Sequence, residues 1–205
     1  EYRRQRQMCI SDSFLAEQIH GVIGDVAGAA FDVMNWLASA ASTKAQVIDD
    51  LDGAFSWVTP TGLPVVQEYY DYETQRFKVF VEGRSVKFTQ RTGSAQIKKP
   101  KQRQGAAPNF VHSLDASHLM LTVNECARHG IRDFAMIHDS FGTHAAVTPD
   151  LFEILREKFA EMYEADVLND LYQSMPDAVK EKLEKPPRRG NLNLELVRDS
   201  EFFFA

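Results

Sequence analysis

The segment AMIHDSFGTH, residues 135–144, places a single carboxylate between an apolar run and a turn. The run up to Ile137 is apolar on both faces, and Phe141 and Gly142 resume that pattern after the polar residues. This order predicts a buried strand, a tight turn and a return strand, with Asp139 presented at the tip. A single aspartate at a turn is usually a solvated turn residue.

Basic residues are concentrated in one part of a chain whose net charge is -6. No acidic residue occurs between Gly83 and Leu114, whereas several cations do: Arg84, Lys87, Arg91, Lys98, Lys99, Lys101 and Arg103. Since affinity for a polyanion comes mainly from Lys and Arg at phosphates, this stretch is a candidate phosphate-facing stripe. The alternative is a solvated loop.

Alternating residue types in QRFKVFVEGRSVKFTQR predict a β-hairpin that turns near Gly83. Phe77, Val79 and Val81 point to one face of the first strand, and Arg76, Lys78 and Phe80 point to the other. A two-stranded ribbon is narrow enough to enter the DNA major groove, where Arg and Lys can reach guanine O6 and N7. A surface hairpin with an incidental basic face fits the same pattern.

A helix is predicted from Pro108, in its first turn, to a stop at Gly130. Its wheel is apolar except for a polar strip of His112, Asp115, His118, Thr122 and Glu125, which we expect to be the exposed part of the helix. His112, Asp115 and His118 could suggest a metal site, but a spacing of three and three spreads them around the helix and disfavours one.

The elements that must position these residues are helices and short strands. Apolar residues at helical spacing predict one long helix over 12–42, or a pair broken near Gly21 and Gly24. Four β-like runs between residues 55 and 90, with turns at Gly62 and Gly83, predict a β meander. A mobile stretch over 92–107, a helix from Thr148, a linker-like KPPRRG and a docked Phe-rich end complete the expected organisation.

Composition indicates one sizeable globular domain or two small ones, since 44% of the 205 residues are hydrophobic and 25% are charged. Cys9 and Cys126 have no metal-ligand spacing and suit a reducing compartment. No apolar run is long enough to span a bilayer and no export leader is present, so we expect no membrane association. Residue 1 is Glu and the first Met is Met8, which indicates a processed start or a piece of a longer chain. The common nucleotide-binding and hydrolase motifs do not occur.

Five blocks of the sequence together resemble one family. They are MNWL at 34–37, WVTPTGLPVVQEY at 57–69, APNFVHSLDASHL at 107–119, IHDSFGT at 137–143 and the ending GNLNLELVRDSEFFFA. In this order and over essentially the whole chain, they resemble the carboxy-terminal part of single-subunit, bacteriophage-type DNA-directed RNA polymerases. Mitochondrial members usually carry an aromatic residue at the position of Gly142, so the resemblance favours a phage enzyme in the cytoplasm of a host cell.

The resemblance implies an α+β chain that forms part of a right-hand polymerase fold. Residues 1–111 would be the end of the fingers, with a promoter-recognition hairpin at about 69–90, and residues 112–205 would be a palm portion with the catalytic turn. The implied partners are double-stranded promoter DNA, template strand, nascent RNA and ribonucleoside triphosphates. The implied cofactor is a pair of Mg2+ ions.

The resemblance also implies roles for individual residues. Asp139 is similar to one of two aspartates that bind the two Mg2+ ions in nucleotidyl transfer, and His138 would orient it. His112 is similar to a histidine that contacts the minor-groove side of the growing end. Arg76 matches a promoter-contacting position, Lys78 and Lys87 lie where members differ, and Phe204 and Ala205 belong to an aromatic terminus that folds back near the active site.

A whole polymerase needs residues that this chain does not contain. A second aspartate followed by Gly on a separate strand, and a helix with Arg, Lys and a Tyr-Gly pair for the triphosphate, have no counterpart, since Asp52-Gly53 fits a turn. We therefore expect the chain alone to be inactive. It would be either a piece of a longer polypeptide, which the missing initiator Met favours, or one subunit of a split polymerase.

Two alternative functions remain at this stage. A family A DNA polymerase fragment shares the His-Asp turn but usually has Glu after the Asp, where this chain has Ser140. A non-catalytic DNA-binding or accessory subunit is the second alternative, and the intact Asp139 argues against it because a subunit that only binds DNA has no need for a carboxylate facing phosphates.

Overall fold

A computed structural model describes residues 2–48, 51–81, 83–91, 96–137 and 139–203. Within them the helices and strands follow in this order: α1 (Tyr2–Val26), α2 (Gly28–Val47), β1 (Ser56–Val58), β2 (Pro64–Val66), β3 (Tyr70–Asp71), β4 (Thr74–Val81), β5 (Arg84–Arg91), β6 (Gln96–Ile97), α3 (Lys99–Arg128), β7 (Ala135–Ile137), β8 (Ser140–Gly142), α4 (Thr148–Met162), α5 (Val167–Ser174), α6 (Asp177–Lys180) and α7 (Glu195–Asp199). The chain is α+β, as predicted. None of the helices in these ranges is both long and apolar enough to cross a bilayer.

The strands pair only two by two, all antiparallel: β1 with β2, β3 with β6, β4 with β5, and β7 with β8. The predicted turns at Gly62 and Gly83 are confirmed, since both glycines have positive φ. The predicted single meander is wrong. After β2 the chain leaves the ladder, because the buried side chain of Gln67 hydrogen-bonds to α3.

Two predicted helix boundaries are also wrong. The first pair of helices breaks at Ala27, with φ of -127°, and not at Gly21 or Gly24, which a helix tolerates at a cost of roughly 1 kcal/mol each. Helix α3 starts at Lys99, where Pro100 occupies its first turn, so Pro108 lies in its interior. Most of the stretch expected to be mobile is therefore β6 and the first turns of α3, while residues 92–95 lie outside the described ranges.

The buried side of α3 is a stripe of side chains that repeats every four residues. Its members are Gln102, Ala106, Phe110, Leu114, His118, Thr122 and Cys126. A step of four residues advances by about 40° around an α-helix, so the stripe winds around the axis. Its first half faces α2, and its second half faces α4. The expectation that His118 and Thr122 are exposed is wrong, because the winding stripe carries both of them under α4.

The two halves of α3 line two apolar clusters. The larger cluster contains Trp36 and Leu37 of α2 and Phe110 of α3. Phe55 and Trp57, from the segment between these helices, and side chains of α5 and α6 complete it. The smaller cluster contains Cys126, Ile131, Leu151 and Ile154, with Phe134, Phe141 and Val147 packed against it. Because the smaller cluster includes residues flanking and within the β7–β8 hairpin, it determines where that hairpin lies.

A buried amide network attaches the loop segments to α3. Gln102 is fully buried, its Oε1 accepts from the backbone N–H of Phe55 at 3.1 Å, and its Nε2 donates to the carbonyl of Gln67 at 2.9 Å. Asn109 donates to Gln67 Oε1 at 2.8 Å and to the Tyr69 hydroxyl at 3.0 Å. The segment that contains Gln67 and Tyr69 lies so close to α3 that a Cβ on Gly105 would lie 2.6 Å from the Tyr69 ring and 2.7 Å from Gln67 Oε1.

Replacement of Gln102 by Leu tests this network. The change leaves the Phe55 N–H buried without a partner, which costs about 1–3 kcal/mol, and removes one of the two hydrogen bonds that the Gln67 carbonyl accepts, the other coming from the Tyr69 N–H. We expect the free energy of unfolding, measured by urea denaturation, to fall by roughly 2–4 kcal/mol. Gln104→Leu changes the same residue type on an exposed position of the same helix and should stay within about 0.5 kcal/mol of the wild type. Equal losses in the two variants would contradict the assignment.

Candidate active site

Asp139 lies at the tip of the hairpin formed by β7 and β8. The register pairs Ala135 with Gly142, Met136 with Phe141 and Ile137 with Ser140, so Asp139 falls in the tight turn that follows the last pair. This confirms the predicted order of strand, turn and return strand, but the prediction that the first strand is buried is wrong, since Ala135 and Ile137 are exposed. Close contact between the strands favours Gly at 142, since a Cβ there would lie 3.1 Å from the Ala135 carbonyl oxygen.

An open cavity of about 400 Å³ adjoins this turn. Asp139 and Ser140 lie on one side of it, and residues from Phe141 and from α4 complete its lining: Thr148, Leu151, Phe152 and Leu155. Asp139 is exposed, and no salt bridge to it is found within the described part of the chain. An accessible carboxylate beside a cleft can take a cation or accept hydrogen bonds from a ligand.

Phe141 anchors the hairpin to the helices behind it. Its side chain packs against the smaller apolar cluster, and its ring centroid lies 5.5 Å from that of His118. His118 is 3% exposed, and its Nε2 lies 2.8 Å from the carbonyl oxygen of Leu155 in α4. A carbonyl only accepts, so Nε2 carries the hydrogen. Burial lowers the pKa of His118, although its hydrogen bond to Leu155 and the nearby Asp115 oppose that shift. The ring is thus neutral at pH 7.

The carboxy-terminal segment docks on the same side of α4. The ring of Phe203 lies 4.9 Å from that of Phe159, which in turn lies 5.3 Å from His118. Arg156 donates from Nη1 to the carbonyl of Arg198 at 3.1 Å and stacks over Phe152 at 3.7 Å. Docking of the Phe-rich end is thus confirmed for Phe203, whereas Phe202 is 81% exposed.

The β4–β5 hairpin is a ribbon exposed along both strands. Its register places Arg76 opposite Thr89, Lys78 opposite Lys87, and Thr74 opposite Arg91, so these side chains share one face. The other face is apolar, with Phe77 opposite Phe88 and Val79 opposite Val86, and it carries Arg84 near the turn. The predicted alternation is confirmed, and we name the first side the basic face, made of Arg76, Lys78, Lys87 and Arg91.

Lys78 and Lys87 are directly opposed on this face. Like charges at paired positions destabilise a ribbon, and no acidic partner within 4 Å of either is found in the described ranges. An anion that lies over the ribbon offsets the repulsion between the two lysine charges. The face is therefore a candidate surface for a nucleic acid backbone.

Two site residues were missed by the sequence reasoning. Arg91 was recognised as basic but not as a member of the basic face. The two-residue alternation that runs from Lys87 through Thr89 reaches it. Its guanidinium also lies 4.5 Å from the centre of the Tyr72 ring. His118 was placed on an exposed strip. A four-residue repeat that includes Phe110, Leu114 and Cys126 is the pattern that marks it as buried.

The remaining predicted site residues are not brought together in the described structure. His112 is exposed on α3 and is not among the residues that line the cavity at Asp139. His138, Phe204 and Ala205 lie outside the described ranges. Arg76, Lys78 and Lys87 lie on the separate ribbon. Within the described ranges, no group of three or more His, Cys, Asp or Glu side chains could hold a metal ion.

Sequence similarity to known proteins indicates one family. The family model for DNA-dependent RNA polymerase matches residues 2–184. The chain is 40% identical to the DNA-directed RNA polymerase of Enterobacteria phage K11 and 40% identical to T7 RNA polymerase of Escherichia phage T7, in each case over 94% of its own length. It is also 38% identical, over 97% of its length, to the chloroplastic DNA-directed RNA polymerase 3B of Nicotiana tabacum.

These alignments cover only part of each relative. The chain spans 23% of the K11 protein, 24% of the T7 protein and 20% of the tobacco protein. Its similarity to phage and to plant organellar proteins is nearly equal, so the identities alone do not separate a viral from an organellar origin. The chain therefore belongs to the family of phage-type, single-subunit DNA-dependent RNA polymerases, and it spans about a quarter of the length of the two phage members.

Proposed function

We propose that this chain is the carboxy-terminal part of an RNA polymerase that transcribes viral genes from phage promoters by two-metal nucleotidyl transfer. The observation that carries the proposal is Asp139, exposed at a tight turn between two short antiparallel strands and facing an open cavity. In the proposed right-hand fold, residues 1–111 end the fingers and residues 112–205 form a palm portion. Helix α3 runs without interruption across that division.

Asp139 fits one position in a magnesium site. Its carboxylate is a hard oxygen ligand, is accessible and lies at the turn of an antiparallel hairpin. When bound, the Mg2+ pair would activate the attacking 3'-hydroxyl and stabilise the leaving pyrophosphate. Among the described residues no group of three or more His, Cys, Asp or Glu side chains could complete the site, so the proposal calls for ligands from elsewhere in the polymerase.

The other site residues have supporting roles in the proposal. His138 would orient Asp139, and His112 would donate to a purine N3 or pyrimidine O2 in the minor groove of the growing end. Phe204 and Ala205 would belong to an aromatic terminus that folds back near the active site, and the packing of Phe203 on Phe159 supports this role. The basic face would contact promoter DNA, with Arg76, Lys78 and Lys87 as the reading residues.

A DNA-binding subunit of a split polymerase is the second candidate. The exposed ribbon with its opposed lysines supports it, because DNA binding by that face requires no catalytic metal. The neighbouring genomic sequence separates the two. An upstream reading frame that continues into a Tyr-Gly helix and an Asp-Gly strand supports one long polypeptide, whereas a separate gene with those motifs supports a split enzyme. Membership of the RNA polymerase family removes the DNA polymerase alternative.

The first prediction concerns the 205-residue chain alone. A single exposed carboxylate holds Mg2+ with about millimolar affinity at best, and no triphosphate-binding helix accompanies it. We expect the purified chain to synthesise no RNA in runoff assays on candidate phage promoters. Appreciable synthesis would refute this expectation.

The second prediction concerns Asp139→Asn in the complete polymerase. The change keeps the size of the side chain but removes the charge that binds Mg2+, so RNA synthesis should fall by at least about 100-fold, whereas promoter binding measured by fluorescence anisotropy should not change. Asp133→Asn is the matched control: Asp133 is also exposed and lies just before the same hairpin. If promoter binding is lost together with synthesis, Asp139 has a structural role instead.

The third prediction concerns the basic face. Combined Lys78→Gln and Lys87→Gln should weaken promoter binding and reduce the dependence of log K on log salt by about one unit per lost phosphate contact. Arg84→Gln removes a positive charge from the opposite face of the same ribbon and should leave that slope unchanged. Equal effects of the Lys and Arg84 changes would mean that net charge, and not the basic face, controls binding.

A further inference from the structure

The hairpin that carries Asp139 depends on Phe141 for its position. Ala135, Ile137, Asp139 and Ser140 are exposed, whereas Phe141 packs inward against the smaller apolar cluster. Phe141 lies two residues from Asp139, so a shift of its ring moves the carboxylate. Catalytic groups must be held within about 0.5 Å of their productive position, which makes the contacts of Phe141 important for chemistry.

His118 is the polar member of those contacts, and α4 fixes its orientation. The hydrogen bond to the Leu155 carbonyl, at 2.8 Å, holds one edge of the imidazole. The ring of Phe159 meets it edge to face, at 5.3 Å and an interplanar angle of 82°. Leu155 and Phe159 are four residues apart, so both contacts come from one side of α4. The imidazole therefore follows any displacement of that side of the helix.

The same side of α4 receives the carboxy-terminal segment. Phe203 packs edge to face on Phe159 at 4.9 Å, and Arg156 holds the carbonyl of Arg198. The aromatic rings of Phe203, Phe159, His118 and Phe141 thus form a continuous series, with centroid separations of 4.9, 5.3 and 5.5 Å. This series of ring contacts connects the docked segment to the hairpin that carries Asp139.

We propose that His118 is a positioning residue that couples docking of the segment at Phe203 to the placement of Asp139. The inference rests on the proposed function, because it assigns His118 a part in the same active site. His118 touches neither substrate nor metal in this scheme. It keeps Phe141, and with it the hairpin, in the arrangement that the docked segment selects. A structural claim of coupling requires a measured interaction energy, which a double-mutant cycle supplies.

The first experiment uses the complete polymerase and single-nucleotide extension of a preassembled primer–template, so that promoter binding does not enter. The variants are His118→Gln, which keeps a donor for Leu155 but removes the ring, Phe203→Ala, and the double variant. We expect each single change to lower kcat on the order of 10-fold to 100-fold and to raise the Mg2+ concentration for half-maximal rate, with little change in KM for the nucleotide. The double variant should be no slower than the slower single variant.

Leu114→Ala is the matched control. Leu114 is buried one helical turn before His118, but it packs in the larger cluster, away from the hairpin. It should lower the free energy of unfolding by about 2–5 kcal/mol without changing the Mg2+ requirement. His118→Phe keeps an aromatic ring at the position and should retain more activity than His118→Gln. If the effects of His118→Gln and Phe203→Ala on kcat multiply, or if Leu114→Ala raises the Mg2+ requirement as much as they do, the proposal is wrong.

The second experiment uses the complete polymerase but needs no activity. Amide hydrogen exchange in β7 and β8 should accelerate in Phe203→Ala, and Phe203→Ala should add no acceleration in a His118→Gln background. Unchanged exchange of the hairpin in Phe203→Ala would overturn the coupling whatever the polymerase does. If a complete polymerase containing the wild-type chain makes no RNA while the exchange result is as expected, the proposed function fails and the coupling stands.

Discussion

Helix α3 imposes the constraint on which the rest of the chain depends. Its buried residues repeat every four positions from Gln102 to Cys126, and the helix turns every 3.6 residues, so the buried stripe cannot stay on one side. The helix therefore needs two different partners along its length, and it finds α2 for the first half and α4 for the second. Two apolar clusters result, and the smaller one supports the hairpin with Asp139.

The two halves of α3 differ in the polar side chain that each of them buries. The first half buries Gln102, whose amide satisfies a backbone donor of one loop segment and a backbone acceptor of another. The second half buries His118, which reaches across to a carbonyl within α4. A buried polar side chain that finds its partner fixes a register, because any shift would leave both groups unpaired. An entirely apolar stripe would allow more ways for α3 and α4 to pack.

Much of the candidate site could be predicted because it depends on local pattern. The turn at Asp139 follows from the apolar run and the polar residues that end it, and the basic face follows from the two-residue alternation that the strand pairing shows. The failures concern tertiary packing. Pro108 marks a helix start by propensity, yet Lys98 donates its backbone N–H to the carbonyl of Tyr69 and α3 begins there. A helical wheel places His118 on the exposed polar strip, whereas its burial depends on where α4 lies.

Charge distribution limits how the chain can approach a nucleic acid. The net charge of -6 opposes a polyanion at long range, but at physiological ionic strength such repulsion is screened beyond about 8 Å. Close contact is then decided by the surface that meets the phosphates. On the β4–β5 ribbon that surface is the basic face, in which Lys78 and Lys87 lie directly opposite each other. Exposed cations also lie at the start of α3, at Lys99, Lys101 and Arg103, so positive charge is concentrated on the ribbon and at this helix start, in a stretch from Gly83 to Leu114 that contains no acidic residue.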